Sequence, residues 1–136
     1  MALTRIDVQT HERTEMVDVT REVAAAVRAT AVRSGVAFVY CPHTTAGVTI
    51  QENADPDVQH DLLLALESAV PLRAQRGHYR HAEGNSDAHV KASLVGSSAA
   101  VPVEDGVLVL GTWQGIFLCE FDGPRTRTLQ VRMLPG

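Results

Sequence analysis

Ionisable and amide side chains are concentrated in one stretch of the sequence, residues 79–89. These eleven residues include two histidines, two acids, an arginine and an asparagine: His81, His89, Glu83, Asp87, Arg80 and Asn85. Imidazole nitrogen is a good zinc ligand, and a catalytic zinc site typically combines three protein ligands with a water molecule. The spacing matches none of the common zinc motifs, so both a metal site and a polar helix cap with incidental histidines remain open.

A second candidate segment, Cys-Pro-His-Thr-Thr at residues 41–45, lies where a predicted strand breaks. His43 has two hydroxyl groups beside it and follows a bend fixed by Pro42, which would suit a residue facing a cleft. Threonine is also an ordinary strand former. From this segment alone, a solvated histidine at a strand end is the better interpretation.

The third candidate is Gly-Thr-Trp-Gln-Gly at residues 111–115, which contains the only tryptophan of the chain. Thr112 and Gln114 could donate hydrogen bonds to a ligand, and Trp113 could form a stacking wall. The segment does not match a phosphate-binding loop, and a β-turn beside a core aromatic explains it better. Glu52 could orient a ligand histidine or act as a general base.

Length and composition predict one soluble domain of ordinary architecture. The chain has 136 residues, 45% of them apolar, and a formal charge of −4, with 16 acidic and 12 basic side chains. A domain of this size buries enough surface to fold without disulfides or structural metals, and the acidic balance argues against a nucleic-acid binder. The sequence predicts neither a membrane-spanning helix nor a signal peptide, and we expect Cys41 and Cys119 to be buried thiols. These features predict a cytosolic protein.

Hydrophobic periodicity predicts the elements that must position these residues. Helices are expected from a Thr20 cap to about Ser34, with Gly35 as the stop, from Pro56 after an Asp55 cap to Pro71, and from about Asp87 to Val95 before Gly96. Strands are expected at residues 3–10, 13–19, 36–41, 46–51, 100–103, 107–113, 116–122 and 125–134. A turn at Gln114-Gly115 and another at Gly123-Pro124 would join the last three strands into an antiparallel meander. The predicted fold class is α+β, a mainly antiparallel sheet or sandwich with two main helices and one short helix.

Taken together, four motifs resemble those of the YjbQ family, also called UPF0047 or the secondary thiamine-phosphate synthase family. They are His43-Thr44-Thr45-Ala46, Glu52-Asn53-x-Asp55-Pro56, Tyr79-x-His81-x-Glu83-Gly84-Asn85-x-x-Ala88-His89 and Gly111-Thr112-Trp113-Gln114. They occur in the family's order with no large insertion, and the similarity covers nearly the entire chain as one domain, residues 1–136. The chain departs from the family pattern in small ways, mostly at Gly47, Val48 and Gln51.

The resemblance implies a homotrimer with pockets near the subunit contacts and a metal site, often zinc, formed by His43, His81 and His89. It also implies a synthase reaction that joins hydroxymethylpyrimidine diphosphate to thiazole phosphate and releases diphosphate. Loss of diphosphate requires positive charge on the leaving group, so Arg80 and Lys91 would assist the metal.

The chemistry of the metal leaves alternatives to the synthase open. Zinc on three histidines usually activates water, whereas magnesium on carboxylates more often binds diphosphate. A metal-dependent hydrolase of an anionic small molecule, with Glu52 or Glu83 as base, is therefore the first alternative. A binding protein without catalysis is the second. The acids and amide nearest the reaction would be Glu52, Glu83 and Asn85, and the substrate would contact Arg80, Lys91, Thr112, Trp113 and Gln114.

Overall fold

A computed structural model describes residues 2–136 and shows two antiparallel sheets and three helices in this part of the chain. The strands are β1 (Thr4–Gln9), β2 (Glu15–Asp18), β3 (Gly35–Tyr40), β4 (Ala46–Glu52), β5 (Ser98–Glu104), β6 (Val107–Leu108), β7 (Gln114–Glu120) and β8 (Thr126–Pro135). The helices are α1 (Thr20–Ala29), α2 (Pro56–Ala69) and α3 (Ser86–Val95). The predicted α+β class with antiparallel sheets is confirmed.

The two sheets face each other across the main core. The larger has the order β1-β8-β3-β5-β6 and the smaller the order β2-β7-β4. Val39 and Leu129 from the larger sheet meet Val48 and Leu118 from the smaller one, and all four are buried. Side chains alternate along a strand, so the opposite face of β7 presents Phe117 and neighbouring apolar residues to a second cluster. Both faces of β7 are therefore covered, which explains its almost continuous apolar sequence.

Helix α3 covers the outer face of the smaller sheet, where Ala88 and Ala92 pack against Phe117. Helix α2 lies over the same cluster, contributes partly buried leucines and has no fully buried residue. The predicted α2 start is confirmed, because the Asp55 carboxylate accepts from Asp57 N at 2.9 Å and Pro56 follows it. The predicted stop of α3 at Gly96 is also confirmed.

The expected meander is wrong. Strands β6 and β8 belong to the larger sheet, whereas β7 is the central strand of the smaller one. Only Val107–Leu108 of the predicted 107–113 strand pairs with a neighbour. Gln114 and Gly115 are not a turn, because they pair with Glu52 and Gln51 at the start of β7. A Cβ at Gly115 would lie 2.7 Å from the Asn53 amide nitrogen, so this glycine allows a close contact rather than a turn.

Helix α1 is shorter than predicted and lacks the expected cap. It ends at Ala29, and Ala31 adopts a left-handed φ of 59°. Gly35 opens β3 instead of stopping the helix, and a Cβ there would lie 2.1 Å from the Leu134 carbonyl oxygen. Thr20 is the first helical residue, and its hydroxyl donates to Asp18 and accepts from Ile116 N. A threonine used in this way supports the strand pairing rather than the helix start.

Candidate functional site: the histidine cleft

His43, His81 and His89 line one open cleft of about 380 Å³, called the histidine cleft below. His43 comes from the β3–β4 connection, His81 from the α2–α3 loop and His89 from the first turn of α3. The remaining lining residues come from these segments and from the β7–β8 region: Pro42, Thr44, Thr45, Glu83, Asn85, Asp122, Arg125 and Arg127. A neighbouring cleft shares His43, Thr44 and His89 and continues toward Ser97.

His81 and His89 are in direct contact. Their ring centroids are 5.2 Å apart, with the planes almost perpendicular at 86°. Glu83 Oε2 lies 3.7 Å from His81 Nε2, which is too far for a hydrogen bond. The pair forms because α3 begins directly after Asn85 and brings His89 back toward the preceding loop.

His43 faces the same cleft, but one of its nitrogens is already used. Its Nε2 accepts a hydrogen bond from Thr128 N at 2.9 Å, so the proton of the neutral ring is on Nδ1. Burial lowers the pKa of His43, and the positive charge of Arg127 lowers this pKa further. The ring is therefore a neutral hydrogen-bond donor through Nδ1 at neutral pH.

Asn85 contains a buried acceptor without a partner. The residue is 6% exposed, and its Nδ2 donates to Asp122 Oδ2 at 2.9 Å. That carboxylate can only accept, so the amide orientation is fixed and Oδ1 points elsewhere. Among residues 2–136, Oδ1 is the one sealed side-chain polar atom with no hydrogen-bond partner. An orphan of this kind requires a cation, a water molecule or a ligand donor.

A buried ion pair forms the wall of the cleft on β8. Arg127 Nε donates to Glu120 Oε1, and Arg127 Nη2 binds Glu120 Oε2 and the Thr45 hydroxyl. Burial alone would raise the pKa of Glu120, but the hydrogen bonds from Arg127, Asp122 N and Thr10 outweigh it and lower this pKa. Glu120 is therefore ionised across the neutral range and fixes the guanidinium in place.

The prediction that Lys91 contacts the substrate is wrong, because this residue is buried in an ion-pair group. Its ammonium group is 1% exposed and lies 3.1 Å from Asp87 and 2.6 Å from Glu67. Arg13 completes this group through Asp87, so Lys91 connects α3 to α2 and to the β1–β2 connection. A charge already paired with two carboxylates is not available to a substrate. Arg80, the other predicted cation, is exposed beside His81.

Glu52 and the predicted substrate contacts Thr112, Trp113 and Gln114 do not join the histidines within one chain. Glu52 and Gln114 pair at one end of the smaller sheet, and Ala46 pairs with Glu120 at the other. The seven residues of β4 separate these ends by about 20 Å at roughly 3.3 Å per residue. Trp113 is 61% exposed beside Glu52, and Thr112 is exposed next to it. The sequence motifs therefore form two separate clusters.

The three-histidine ligand set fits this geometry only in part. Among residues 2–136, no three His, Cys, Asp or Glu side chains are arranged to share an ion. His43 would first have to release Thr128 N to free Nε2. Imidazole nitrogen and amide oxygen are donor types that divalent cations accept, and His81, His89 and Asn85 all line this cleft.

Sequence reasoning missed the arginines and Asp122 of the cleft, although one signal was available. Arg127 lies in the same alternating phase of β8 as Leu129, Val131 and Met133, and all four are buried. A charged residue in the apolar phase of a strand predicts a buried ion pair. Its partner Glu120 directly follows the apolar residues of β7. A charged residue at the end of a buried strand likewise predicts a buried ion pair.

Comparison with known proteins identifies the family. A family model described as UPF0047 protein YjbQ-like matches residues 4–136. The UPF0047 protein YugU of Bacillus subtilis is 53% identical over 97% of this chain and 98% of its own length. A UPF0047 protein of Methanocaldococcus jannaschii is 47% identical over 97% of this chain and 94% of its own.

Solved structures agree with this assignment. An uncharacterized YjbQ/UPF0047 protein of Clostridium acetobutylicum superposes with a TM-score of 0.91 at 49% identity, covering 96% of this chain and 99% of that one. A protein of unknown function from Sulfolobus solfataricus, described as YbjQ-like, gives 0.92 at 30% identity, covering 99% and 97%. Among residues 2–136, no helix has both the length and the apolar character needed to cross a bilayer. On its sequence and its fold, the chain belongs to the UPF0047 (YjbQ-like) family.

Proposed function

We propose that the histidine cleft is the active site of a metal-dependent enzyme acting on a small phosphorylated substrate, in a cytosolic homotrimer. The observation that carries the proposal is the buried Asn85 Oδ1 without a partner in a cleft that His81 and His89 also line. Folding leaves such an atom unpaired only at a cost of about 1–3 kcal/mol, and a bound ion would remove that cost. Buried polar atoms without a partner are uncommon in folded proteins, and an ion that the structure does not contain is one explanation for them.

The metal would be held by His81, His89 and Asn85, with zinc the first choice and magnesium the alternative. When bound, it would supply positive charge to a phosphate or diphosphate group. The chain's own residues contribute binding and proton transfer. His43 offers Nδ1–H to a substrate oxygen, and Glu83 is the nearest carboxylate to the histidine pair.

The leading reaction is the coupling of hydroxymethylpyrimidine diphosphate to thiazole phosphate. A carbon–nitrogen bond forms to the thiazole ring, the carbon–oxygen bond to diphosphate breaks, and diphosphate leaves with the electron pair. Glu52 and the Thr112–Gln114 segment are too far from the cleft to act within the same chain.

A phosphoester hydrolase is the second candidate, and the position of Glu83 favours it. A carboxylate 3.7 Å from an imidazole at an open cleft could accept a proton from an attacking water. Turnover of p-nitrophenyl phosphate without coupling activity would select this candidate over the synthase.

Pyrophosphate release from the two synthase substrates, together with metal analysis, tests the proposal. We expect wild-type protein to bind about one divalent ion per chain, and His81→Ala/His89→Ala to lose both ion and turnover. His11→Ala/His60→Ala removes two histidines outside the cleft lining and is the matched control. Unchanged metal content in the cleft variant would refute the ligand assignment. A metal-loaded protein that turns over neither substrate class would indicate a binding protein.

A further inference from the structure

Arg127 has one guanidinium nitrogen that the fold does not use. Nε and Nη2 carry all the hydrogen bonds of this side chain, to Glu120 and Thr45. Among residues 2–136, Nη1 donates to no atom. It is also not one of the fully buried polar atoms that lack a partner, so it retains some solvent exposure. The side chain as a whole is only 5% exposed, and the residue lines the histidine cleft. Nη1 therefore belongs to the small accessible part of this side chain.

The surrounding contacts prevent the guanidinium from turning away. Glu120 Oε1 also accepts from the Thr10 hydroxyl, and Oε2 accepts from the backbone nitrogens of Phe121 and Asp122. Every contact that holds Glu120 in place also holds Arg127 in place. A donor fixed by buried partners loses little conformational entropy when it binds a ligand, which favours affinity.

Charge in the cleft is nearly balanced without a ligand. Glu120 neutralises Arg127, and Asp122 accepts from Arg125 at 3.0 Å. An anion would therefore be recognised by directed hydrogen bonds rather than by an excess of positive charge.

We propose that Arg127 is a substrate-binding residue whose Nη1 edge holds one phosphate group in the histidine cleft, with Glu120 as its positioning residue. The substrate class in this proposal rests on the proposed function. The new element is the side chain that binds the phosphate group, which is Arg127. A cation held by His81, His89 and Asn85 would lie on the α3 side of the cleft, and Arg127 lies on the β8 side. A phosphate between them would have positive groups on two sides.

Binding of pyrophosphate to metal-free protein, followed by calorimetry, tests this assignment without requiring turnover. We expect Arg127→Lys to weaken binding at least about tenfold, because lysine retains the charge that Glu120 requires but lacks the second donor edge. Arg13→Lys is the matched control, since Arg13 also pairs with a buried carboxylate but does not line the cleft. It should bind pyrophosphate within about twofold of wild type.

A second measurement covers the case in which Arg127→Lys does not fold. In wild-type protein, pyrophosphate should shift the side-chain ¹⁵N resonances of Arg127, whereas acetate at the same ionic strength should not. Unshifted resonances, or a folded Arg127→Lys protein with unchanged affinity, would overturn the proposal. Loss of binding in Arg125→Lys but not in Arg127→Lys would also overturn it.

The outcomes separate this proposal from the proposed function. Pyrophosphate binding that depends on Arg127, in a protein with no turnover of either substrate class, supports the phosphate site and refutes the enzyme. Turnover with an unchanged KM in Arg127→Lys supports the enzyme and refutes the phosphate site.

Discussion

His43 connects the cleft to the stability of the fold through a single hydrogen bond. Its Nε2 must be unprotonated to accept from Thr128 N, and both burial and Arg127 lower the pKa of this ring. The unfolded chain has no such constraint, so His43 titrates there near its ordinary value of 6.5. Below that pH the unfolded state binds the proton more readily than the folded state does.

We therefore predict that the His43 contribution to stability is complete above about pH 6.5 and is lost as the pH falls through that value toward the lower folded pKa. His43→Gln does not titrate, so its free energy of unfolding should change less between pH 7 and pH 5 than that of wild type. Urea unfolding at half-unit pH steps measures the difference. Parallel curves for the two proteins would contradict the prediction.

Removal of the His43 imidazole should also lower the free energy of unfolding at neutral pH, because Thr128 N then loses its acceptor. His43→Ala leaves Thr128 N without a partner in a half-buried position, and we expect a loss of about 1 kcal/mol at pH 7.5. Thr44→Ala removes an exposed neighbour and is the control, with an expected change of less than about 0.5 kcal/mol. Equal losses in the two variants would contradict the role of His43 as a backbone acceptor.

At the scale of elements, α3 is held in place by buried charge. Asp87 is fully buried at its first turn and receives Arg13 from one side and Lys91 from the other. Burial raises the pKa of Asp87, but the hydrogen bonds from Arg13 and Lys91 outweigh it and lower this pKa from 3.8. The helix that carries His89 is thus tied to the β1–β2 connection and, through Glu67, to α2.

We predict that Asp87→Ala lowers the free energy of unfolding by about 3–5 kcal/mol, because it leaves the buried Lys91 with only an exposed partner. Lys91→Met should be less damaging, since Asp87 retains Arg13. Urea unfolding at pH 7 ranks the two variants. Lys91→Met should also bind pyrophosphate like wild type, and a tenfold loss would return Lys91 to the substrate site.

Gly47 controls how closely α3 approaches β4. A Cβ at this position would lie 2.6 Å from the Gly96 carbonyl oxygen and 3.1 Å from Val95 Cγ1. That carbonyl also accepts from Val48 N at 3.1 Å, so it cannot move away without loss of a hydrogen bond. We predict that Gly47→Ala destabilises the protein by about 1–3 kcal/mol and displaces the C-terminal end of α3, where Gly96 borders the neighbouring cleft.

Gly111→Ala is the matched control for Gly47→Ala. Its added Cβ would meet only the flexible Gln114 side chain, at 3.3 Å, and both substitutions restrict the unfolded chain equally. Thermal unfolding should separate the two variants, with Gly111→Ala within about 0.5 kcal/mol of wild type. Similar stability in both would show that α3 can relax away from β4.

Much of the fold could be predicted from local signals, because periodicity and capping act over a few residues. Asp55-Pro56 and Gly96 mark helix ends through their own backbone chemistry, and the structure agrees at both. The failure at Gln114-Gly115 has a different cause. Those residues look like a turn, but pairing with Glu52 and Gln51, over 60 positions away, places them in a strand. Sheet membership depends on such distant partners, and periodicity does not encode them.

The residues of the histidine cleft also divide into those that local sequence predicts and those that depend on distant partners. His81, Glu83 and Asn85 are close in sequence and line the same cleft, because a short loop keeps them together. Lys91 was misassigned because its role depends on Glu67, a residue of another helix. The sequence analysis does not include Arg127 among the site residues, because its role depends on the buried ion pair with Glu120.

At the scale of the whole molecule, two polar clusters lie at opposite ends of the smaller sheet. The histidine cleft is at the Ala46 end of β4, and the cluster with Trp113 is at the Glu52 end, about 20 Å away at roughly 3.3 Å per residue. Contact between the clusters requires a second copy of the chain. In a ring with heterologous contacts, each subunit presents one end to a neighbour.

This arrangement gives a prediction about mixed assemblies that rests on the proposed homotrimer and its activity. Sedimentation equilibrium should first give three times the monomer mass of 14.7 kDa. If Glu52 completes the cleft of a neighbouring subunit, Glu52→Gln and His89→Ala should each be inactive alone. Mixed trimers should recover activity, because about one quarter of the sites receive both intact residues at random 1:1 mixing.

The control uses two substitutions within one cluster. His81→Ala and His89→Ala affect the same subunit's half of the site, so mixed trimers of these variants should remain inactive. Pyrophosphate release measures both mixtures after the subunits are unfolded and refolded together. Recovery in the first mixture alone would assign Glu52 and Trp113 to a shared site between subunits. No recovery in either, or a monomeric protein, would leave the Trp113 cluster outside the catalytic machinery, because no single chain brings it to the histidines.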